Sequence, residues 1–484
     1  MNRYRVALGA GLALCALSGG AQTATARGRG GLQPPGTGVL PTPLRGTPHF
    51  STAVEKPVEQ VRQLVQCGGT MYAVGTFWQI LQGSRVFERH NAFSFKATPP
   101  FTMTSWAPDV NGTVNSIAFR HGKCSHAYIG GSFTSVNGTK ATNIAAISTW
   151  TGALVNTFAH HASATVETVR ALNRHILVGG FYTSINRSSA NPYMTSLNPK
   201  TGRDDRFVHL RISGHYQYPR VGNNLTRVYN QALSHSGRLD LVMGDFTSVG
   251  GKKRQQIFML RISGHKAKVT RWTSRDFSSH CVTDEPFYIR AASWSPNDRT
   301  IYIATTGRNL ASRPGGVFPL TGLCDAAAAF PATKTSVQPI WINYTGCDSL
   351  YSTAADAGTA YFGGHPRWSM NPDGCNHPGP GSYTAKGIQG LSPTTGALYL
   401  NANKSKPSGY YESSRGVGAD DMLITHAGLW VASDNFGNSQ WCGFLSGLSG
   451  ICFLPYPSSI SGHRYDADRA THITSASTAR RRSR

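Results

Sequence analysis

A short repeated strand pattern is the feature of this sequence that most constrains its fold. Each copy is an apolar run, and the complete copies end in a glycine pair. The seven copies are Met71–Phe77, Ala127–Gly138, Ile176–Tyr182, Leu241–Phe246, Ile301–Thr306, Ala360–His365 and Leu429–Asp434. The apolar run indicates a short buried strand, and glycine lets the backbone approach a neighbour where a Cβ would clash.

The spacing of the copies predicts how they assemble. Steps of 56, 49, 64, 61, 59 and 69 residues separate the equivalent positions Gly75, Gly131, Gly180, Gly244, Thr305, Gly364 and Ser433. A unit of four short strands cannot bury both of its faces alone, so such units stack around a central axis. We therefore predict an all-β chain: a β-propeller over residues 57–456 with seven blades of four-stranded antiparallel sheets.

Composition agrees with many short strands and tight turns. Only 14% of the 484 residues are charged, 10% are aromatic, and 53 are glycine. One domain of this size is reasonable because each blade buries its faces against two neighbours.

The N-terminus has the pattern of a secretory signal peptide. Arg3 and Arg5 precede an apolar core, Val6–Leu17, and Ala24–Ala26 supplies small residues for cleavage. We expect residues 1–26 to be removed and the mature chain to be exported, either extracellular or associated with the cell wall, with no membrane span.

Two further segments flank the predicted propeller. Residues 27–56 are rich in proline and glycine and are expected to be extended. A stretch near Phe50–Val54, together with Ile451–Tyr456, is predicted to close the ring. Residues 457–484 are polar and end in several arginines, which predicts a disordered basic tail.

Cysteine usage also indicates an oxidising compartment. Without Cys15, the mature chain has eight cysteines: Cys67, Cys124, Cys281, Cys324, Cys347, Cys375, Cys442 and Cys452. An even number in an exported chain predicts disulfides, and we expect sequential pairing. No cysteine or histidine cluster has the spacing of a zinc site, so no metal and no cofactor is predicted.

Several segments resemble a known repeat. Gly130–Gly138 and Gly244–Gly251 are similar to the delta sixty repeat of secreted bacterial propeller proteins. The segments that resemble exported actinobacterial members are Tyr344–Tyr351, Gly363–Trp368, Gly418–Met422 and Gly428–Phe436. This resemblance, over residues 57–456, implies a β-propeller and bacterial export, but it supplies no catalytic or ligand-binding residues.

No local catalytic motif is present. The chain lacks GxSxG, HExxH, a phosphate-binding GxxxxGK[ST] loop and an EF-hand loop. Candidate ligand-binding residues are polar side chains near the starts of innermost strands or just beyond the repeat strand, because those positions surround a propeller channel. They are Arg290, Asp348, His365, Arg367, Trp368, Asp420, Asp421 and Asp434.

Each candidate has a structural alternative. Asp348, Asp420 and Asp421 could form a carboxylate cluster for a cation or for sugar hydroxyls. Alternatively, they accept backbone N–H bonds in turns. Trp368 beside Arg367 is either a binding aromatic or packs between blades.

Two functional hypotheses follow. The first is an exported, non-catalytic binding or scaffold protein for a glycan, an anionic cell-wall polymer or a protein. The second is a glycan-active hydrolase or lyase that uses the carboxylates with His365 and Arg367. The formal net charge of +24 favours polyanionic partners, although it could serve solubility alone. We expect a monomer and no nucleic-acid partner, since no nucleic-acid-binding signature is present.

Overall fold

The computed structural model describes residues 38–51, 58–216, 225–278, 281, 287–308, 322–333, 335–399, 418–435, 441–442, 445–446 and 449–460. The predicted signal peptide and all but the first four residues of the predicted tail lie outside them.

The described chain is all-β, as predicted. In the first half of the chain the strands are β1 (Gln60–Cys67), β2 (Thr70–Thr76), β3 (Gln79–Gln82), β4 (Arg85–Glu88), β5 (Ala92–Lys96), β6 (Thr113–Arg120), β7 (Lys123–Ser132), β8 (Ser135–Val136), β9 (Thr139–Lys140), β10 (Ile144–Ser148), β11 (Val166–Ala171), β12 (Ile176–Gly180), β13 (Met194–Leu197), β14 (Ile212–Ser213), β15 (Arg227–Leu233), β16 (Leu239–Asp245), β17 (Ser248–Val249) and β18 (Lys252–Lys253). In the second half they are β19 (Ile257–Ser263), β20 (Lys266–Val269), β21 (Ile289–Trp294), β22 (Thr300–Thr305), β23 (Ala326–Pro331), β24 (Trp341–Tyr344), β25 (Leu350–Ala355), β26 (Ala360–Gly364), β27 (Trp368–Ser369), β28 (Tyr383–Thr384), β29 (Ile388–Leu391), β30 (Ala419–Thr425), β31 (Gly428–Ser433), β32 (Trp441–Cys442), β33 (Leu445–Ser446) and β34 (Ile451–Pro455).

Seven antiparallel sheets follow one another along the chain. In strand order they are β1-β2-β5, β6-β7-β10, β11-β12-β13, β15-β16-β19-β20, β21-β22-β23-β24, β25-β26-β29 and β30-β31-β34. They are called the first to the seventh sheet below. Every repeat copy forms the second strand of its sheet, so the predicted antiparallel meander is confirmed. Two of the sheets have four strands, and the other five have three.

Both faces of each second strand are buried, which explains its continuous apolar run. In β22, for example, Ile301 and Ile303 pack toward the fourth sheet, whereas Tyr302 and Ala304 pack toward the sixth. The same alternation gives seven apolar clusters, each between consecutive sheets. One of them joins Val61 and Met71 of the first sheet to Trp430 and Phe453 of the seventh.

The first strands contact one another in a cyclic order. Each first strand contacts the first strand of the next sheet, from β1 to β6 through β25 to β30, and β30 contacts β1. Short hairpins, including β3–β4, β8–β9, β17–β18 and β27–β28, follow the second strands. In an antiparallel meander these hairpins lie at the same edge as the starts of the first strands.

The N-terminal segment covers the outer edge of the seventh sheet. The amides of Leu40 and Leu44 donate to the carbonyls of Pro455 and Phe453, both at 2.9 Å. Phe50 N–H donates to Ser449 O at 3.1 Å, and the Phe50 ring is fully buried. The N-terminal segment therefore pairs with the last strand of the seventh sheet, mainly before Phe50 and not over the predicted Phe50–Val54. Residues 52–57, which include Val54, lie outside the described residues.

Three disulfides confirm the predicted sequential pairing. They are Cys67–Cys124, Cys281–Cys324 and Cys347–Cys375. Cys452 is also disulfide-bonded, and the side chain of its expected partner, Cys442, lies outside the described residues. The first disulfide joins the first and second sheets, so it fixes their packing covalently.

Helix is limited to two short elements in the described residues. Arg275–Phe277 form a 3-10 turn, and Pro457–Ile460 form the helix α1. The predicted tail was expected to be disordered from residue 457, and α1 corrects that boundary. Its Ser459 hydroxyl donates to Ala427 O at 3.0 Å, which ties α1 to the turn between β30 and β31. None of the described helices is long and apolar enough to cross a membrane.

Candidate functional site

The first strand of every sheet has a β-bulge. In all seven sheets the bulge lies at the same place in the pairing between the first and second strands. A bulge inserts one extra residue, which the partner strand does not match, and re-aims its side chain. The seven extra residues are Arg62, Asn115, Glu167, Tyr229, Arg290, Tyr351 and Asp420.

The repeat position lies opposite every one of these bulges. The residue before each bulge pairs with the equivalent repeat position, as Val114 does with Gly131. A Cβ on Gly131 would overlap the Thr113 carbonyl oxygen, so the close approach of the two strands requires glycine there. Thr305 and Ser433 occupy this position in the fifth and seventh sheets, and their hydroxyls accept the amides of Ala326 and Gly450 at 3.0 Å.

All seven extra residues line one small cavity. It has a volume of about 80 Å³ and lies where the first strands begin. We call it the polar mouth. The remaining lining residues are Gln63, Ser116, Thr168, Arg170, Asn230 and Asp421. The lining is almost entirely polar, and it draws on all seven sheets.

One side of the polar mouth is a hydrogen-bonded chain across three sheets. Arg62 Nη1 donates to Asn115 Oδ1 at 2.9 Å, and Asn115 Nδ2 donates to Glu167 Oε2 at 3.0 Å. Burial raises the pKa of Glu167, although the charges of Arg290 and Arg62 oppose the shift. These hydrogen bonds therefore hold a half-buried carboxylate close to half-buried guanidinium groups.

On the other side, Arg290 faces Asp420. Arg290 Nη2 lies 3.9 Å from Asp420 Oδ1, and burial raises the pKa of Asp420 against the opposing charge of Arg290. The Arg290 guanidinium also lies 5.6 Å from the ring centre of Tyr351. Both Arg290 and Asp420 were predicted from the sequence as site residues, and both line the polar mouth.

Aromatic and arginine side chains continue the wall of the mouth across the fourth and fifth sheets. The Arg227 guanidinium lies 4.2 Å from the Tyr229 ring centre, and Tyr229 stacks on Tyr288 at 4.7 Å. Arg290 lies 6.0 Å from the Tyr288 ring. Tyr229 and Arg290 of this stack also line the mouth.

Asp421 accepts a backbone N–H, as in the structural alternative given above, but it does so between two sheets and not in a turn. Its Oδ2 accepts the Leu64 amide at 3.0 Å, which joins the seventh sheet to the first. The equivalent residues Gln63 and Ser116 make the same bond to the next sheet, accepting the amides of Ile117 and Val169 at 2.7 and 3.0 Å. Burial raises the pKa of Asp421 to about 6, against that backbone hydrogen bond.

Asp348 does not line the polar mouth, which corrects the predicted carboxylate cluster. Its two oxygens accept Nε and Nη2 of Arg367, both at 2.8 Å, and Asp348 also accepts the Arg367 amide at 3.1 Å. Arg367 Nη2 donates to Asn376 Oδ1 at 2.7 Å. This bidentate pair holds the loop beside the Cys347–Cys375 disulfide, so Asp348 and Arg367 act as structural residues.

The remaining three candidates do not line the mouth. His365 packs edge-on against Tyr351 with 5.3 Å between ring centres. Asp434 is buried, pairs with Gln60 in an isolated bridge, and its charge raises the pKa of Asp420 as a minor cause. Trp368 lies in β27, half-buried, and its carbonyl accepts Gln389 Nε2 at 2.8 Å.

A second, wider cavity follows the polar mouth along the first strands. Its volume is about 410 Å³, and it shares six lining residues with the mouth: Gln63, Arg170, Asn230, Tyr351, Asp420 and Asp421. Its other lining residues include the later parts of the first strands, such as Phe119, Leu233, Trp294 and Ile424. We call it the wide channel.

One buried carboxylate lies between the third and fourth sheets. Asp240 is fully buried, and burial raises its pKa to about 7, although the charge of Arg170 opposes the shift. Because the folded pKa is above the ordinary value, the folded state retains a proton that the unfolded chain has lost between about pH 4 and pH 7. The contribution of Asp240 therefore lowers the free energy of unfolding as the pH rises through this range.

Replacing Asp240 with asparagine should remove that pH dependence. We expect Asp240→Asn to be more stable than the wild type above about pH 7, because no buried charge has to form. Urea denaturation across the pH range measures this, with the exposed Asp373→Asn as the control. An unchanged pH profile in Asp240→Asn would show that another group causes it.

Sequence reasoning missed most of the residues that line the polar mouth. Arg62, Asn115, Glu167, Tyr229 and Tyr351 were not among the candidates, although they lie near the starts of the innermost strands, where the search was made. Each of them follows the residue that pairs with the repeat glycine. Aligning the first strands on that pairing would have identified the full set.

The described residues contain no group of three or more histidine, cysteine, aspartate or glutamate side chains that could hold a metal ion.

The chain matches no protein-family model and no curated protein sequence. Among solved structures it is similar to the computationally designed Ika8 protein, at 9% identity and a TM-score of 0.40, over 83% of this chain and 98% of that chain.

Proposed function

We propose that the chain is an exported, non-catalytic binding protein that holds an extracellular glycan at the polar mouth of a seven-bladed β-propeller. The cyclic contacts of the seven first strands and the seven apolar clusters between sheets support the propeller. The disulfides and the signal-peptide pattern support export. The repeat segments support membership of the delta sixty repeat group.

The observation that carries the functional proposal is the convergence of seven bulge residues on one cavity. Each sheet contributes a side chain that its own pairing does not require, and most of the seven are polar or charged. A bulge that re-aims a side chain is typical of functional positions. The pairing of the first and second strands would be equally possible with small or apolar side chains at these positions.

The chemistry of the lining favours hydroxyl groups as ligand. Arginine and tyrosine donate hydrogen bonds, carboxylates accept them, and asparagine does both. A sugar hydroxyl is both donor and acceptor, so it matches such a mixed lining. The guanidinium groups of Arg62, Arg170 and Arg290 face the carboxyl groups of Glu167, Asp420 and Asp421, so the charges balance.

Because the charges at the mouth balance, glycan binding there should respond to salt differently from polyanion binding elsewhere on the chain. The net charge of +24 lies mainly on the rest of the chain and would attract polyanions through interactions that salt screens. A glycan held at the mouth depends on buried hydrogen bonds instead. We therefore expect glycan binding at the mouth to change little with salt.

A non-catalytic role is favoured over the glycan-active enzyme because the three predicted carboxylates do not converge. Asp348 is bound to Arg367, and Asp421 accepts the Leu64 amide. Neither is placed as a free acid or base beside Asp420. His365 and Arg367 do not line the mouth either.

The test is a glycan array and polysaccharide pulldown with the mature chain, run beside an activity screen on the same polymers. Glu167→Gln and Asp420→Asn keep the side-chain shapes but remove an acceptor charge at the mouth. Each should weaken glycan binding at least about tenfold, because one lost hydrogen bond to a charged group is worth roughly 1.5–3 kcal/mol. Glu88→Gln, on the exposed β3–β4 hairpin, is the matched control.

Two results would contradict this proposal. One is glycan binding that Glu167→Gln and Asp420→Asn leave unchanged. The other is turnover of a bound polymer that those variants abolish, which would instead favour the glycan-active enzyme.

A further inference from the structure

The outer part of the fourth sheet carries much of the positive charge of the chain. Residues 206–278, which include this sheet and the small sheet β14-β17-β18, contain 13 lysines and arginines but only three acidic residues, Asp240, Asp245 and Asp276. Asp240 and Asp245 are buried, and Asp276 is half-buried and accepts the Ser274 hydroxyl. Within the described part of this segment, no exposed carboxylate therefore lies beside the exposed cations.

Seven exposed cations follow the outer edge of this sheet. The outermost strand, β20, contributes two lysines that share one face and lie roughly 6–7 Å apart along the strand, and the β17–β18 hairpin contributes two more. We call the set the basic strip, and it consists of Arg211, Lys252, Lys253, Arg261, Lys266, Lys268 and Arg271. In the described part of the chain none of the seven forms a salt bridge.

A buried arginine fastens two parts of the basic strip together. Arg254 is 8% exposed, and its Nη1 and Nη2 donate to Lys253 O at 2.8 Å and to Thr270 O at 2.9 Å. Lys253 is the last residue of β18, and Thr270 directly follows β20, so the guanidinium group bridges the hairpin and the outermost strand. The backbones that carry the hairpin lysines and Arg271 are therefore held in a fixed arrangement.

The fold does not require this charge. Arg261 in β19 lies directly opposite Lys268 in β20, and like charges in such a pair are destabilising. In the equivalent hairpin of the second sheet, Thr139 occupies the position of Lys252. The outermost strand of the fifth sheet, β24, contains no charged residue. Both the hairpin and the outermost strand can therefore form without the cations that the fourth sheet carries.

We propose that the basic strip binds a linear polyanion that carries no bases, such as a chain of polyols joined by phosphodiesters. Cations that are spread along an edge suit a ligand whose own charges are spread along a chain. Lysines in an edge strand also oppose pairing with other sheets, but Lys252 and Arg271 lie outside β20.

The absence of bases is inferred from the aromatic residues beside the strip. Proteins that bind single-stranded nucleic acid add aromatic side chains on which the bases stack. Here Phe207, Trp272 and Phe277 are at most 3% exposed, so they cannot offer a ring face to a base. The proposal does not depend on the glycan site at the polar mouth.

The experiment compares two variants of the full mature chain that have the same net charge, with poly(glycerol phosphate) as the probe. In each variant four exposed lysines are replaced by glutamine. The strip variant carries Lys252→Gln, Lys253→Gln, Lys266→Gln and Lys268→Gln, and the control variant carries Lys96→Gln, Lys123→Gln, Lys140→Gln and Lys200→Gln, in the first three sheets and their turns. Affinity is measured between about 50 and 200 mM salt, the range over which contacts with phosphate weaken most visibly.

We expect the strip variant to bind at least about tenfold more weakly than the wild type at the lowest salt. The slope of log affinity against log salt concentration should be smaller by about 3, because each lysine–phosphate contact contributes a little under one. The control variant should change the affinity less than about threefold. Equal losses in the two variants would show that binding depends on total charge, and they would overturn the strip as the site, as would a wild type that does not bind the probe.

The class of polymer is tested with a single-stranded oligodeoxyadenylate that has the same number of phosphates. We expect it to bind no more tightly than poly(glycerol phosphate). Binding that is tighter by tenfold or more would show that bases are recognised and would overturn the proposed class. Glu167→Gln and Asp420→Asn change the polar mouth alone and should not weaken poly(glycerol phosphate) binding, so the glycan proposal and this one can fail independently.

Discussion

Replacing Phe50 with alanine should lower the free energy of unfolding by about 3–5 kcal/mol, the range for removing a fully buried aromatic side chain. The Phe50 ring has no exposed surface and lies 6.0 Å from the ring of Phe77 in the cluster between the seventh and first sheets. Gly450 lies directly beside the ring, so other side chains cannot easily refill the space. Chemical denaturation followed by tryptophan fluorescence measures the change.

Trp150→Ala is the control for Phe50→Ala. Trp150 is also a large aromatic residue, but its side chain is 87% exposed in a turn after β10. We expect its removal to change the stability by less than about 0.5 kcal/mol. If Phe50→Ala were as stable as Trp150→Ala, the N-terminal segment would not be part of the apolar cluster between the seventh and first sheets.

Replacing Gly131 with alanine is the second change with a large expected effect. The new Cβ would overlap the Thr113 carbonyl oxygen and lie 2.9 Å from Val114 Cα, so the backbone of the first strand would have to move. Overpacking of this kind costs typically 1–3 kcal/mol, and we expect the upper end because the obstacle is backbone. The denaturation midpoint and the yield of folded protein report the loss.

Gly69→Ala is the matched control for Gly131→Ala. Gly69 lies in the turn between β1 and β2, and a Cβ there would meet no atom within 4 Å. The substitution should therefore be neutral or slightly stabilising, because it restricts the unfolded chain. Equal destabilisation by both substitutions would mean that the repeat glycine is not required by the bulge.

The sequence predicted the fold well because the repeat and the pairing depend on the same residues. The seven apolar runs become the seven second strands because each must bury both faces against neighbouring sheets. The glycine at the repeat position lies opposite the bulge, so a local sequence signal marks a tertiary feature. Sequential cysteine pairing was predicted correctly for Cys67, Cys281 and Cys347 with their partners.

The site was harder to predict because it is assembled from positions far apart in sequence. Arg290 and Asp420 were identified, but Asn115 and Glu167 look like ordinary strand residues until the bulge re-aims them. Asp348 was grouped with Asp420 by composition, whereas its bond to Arg367 is visible only in the structure. Hydrophobic periodicity reports which strand face is buried, and it does not report where an extra residue points.

The wide channel was not predicted for a related reason. An alanine in the sequence of a first strand fits any buried strand and does not indicate a cavity. The open volume results because alanines from five first strands lie around the same space.

Both cavities exist only if the seven sheets form a ring, and the contact between the first and seventh sheets would close that ring. Gln60 and Asp434 pair across this junction in an antiparallel bridge. Directly opposed residues in such a pair have Cα atoms about 4.5–5.5 Å apart, which is within the range of a disulfide.

The most direct measurement is therefore peptide mapping of the double variant Gln60→Cys, Asp434→Cys after oxidation and alkylation. We predict a disulfide-linked peptide that joins the two introduced cysteines, and none in the control Gln60→Cys, Ser248→Cys, whose second site lies beside the fourth sheet. Recovery of the two introduced cysteines on separately alkylated peptides from folded protein would contradict the ring.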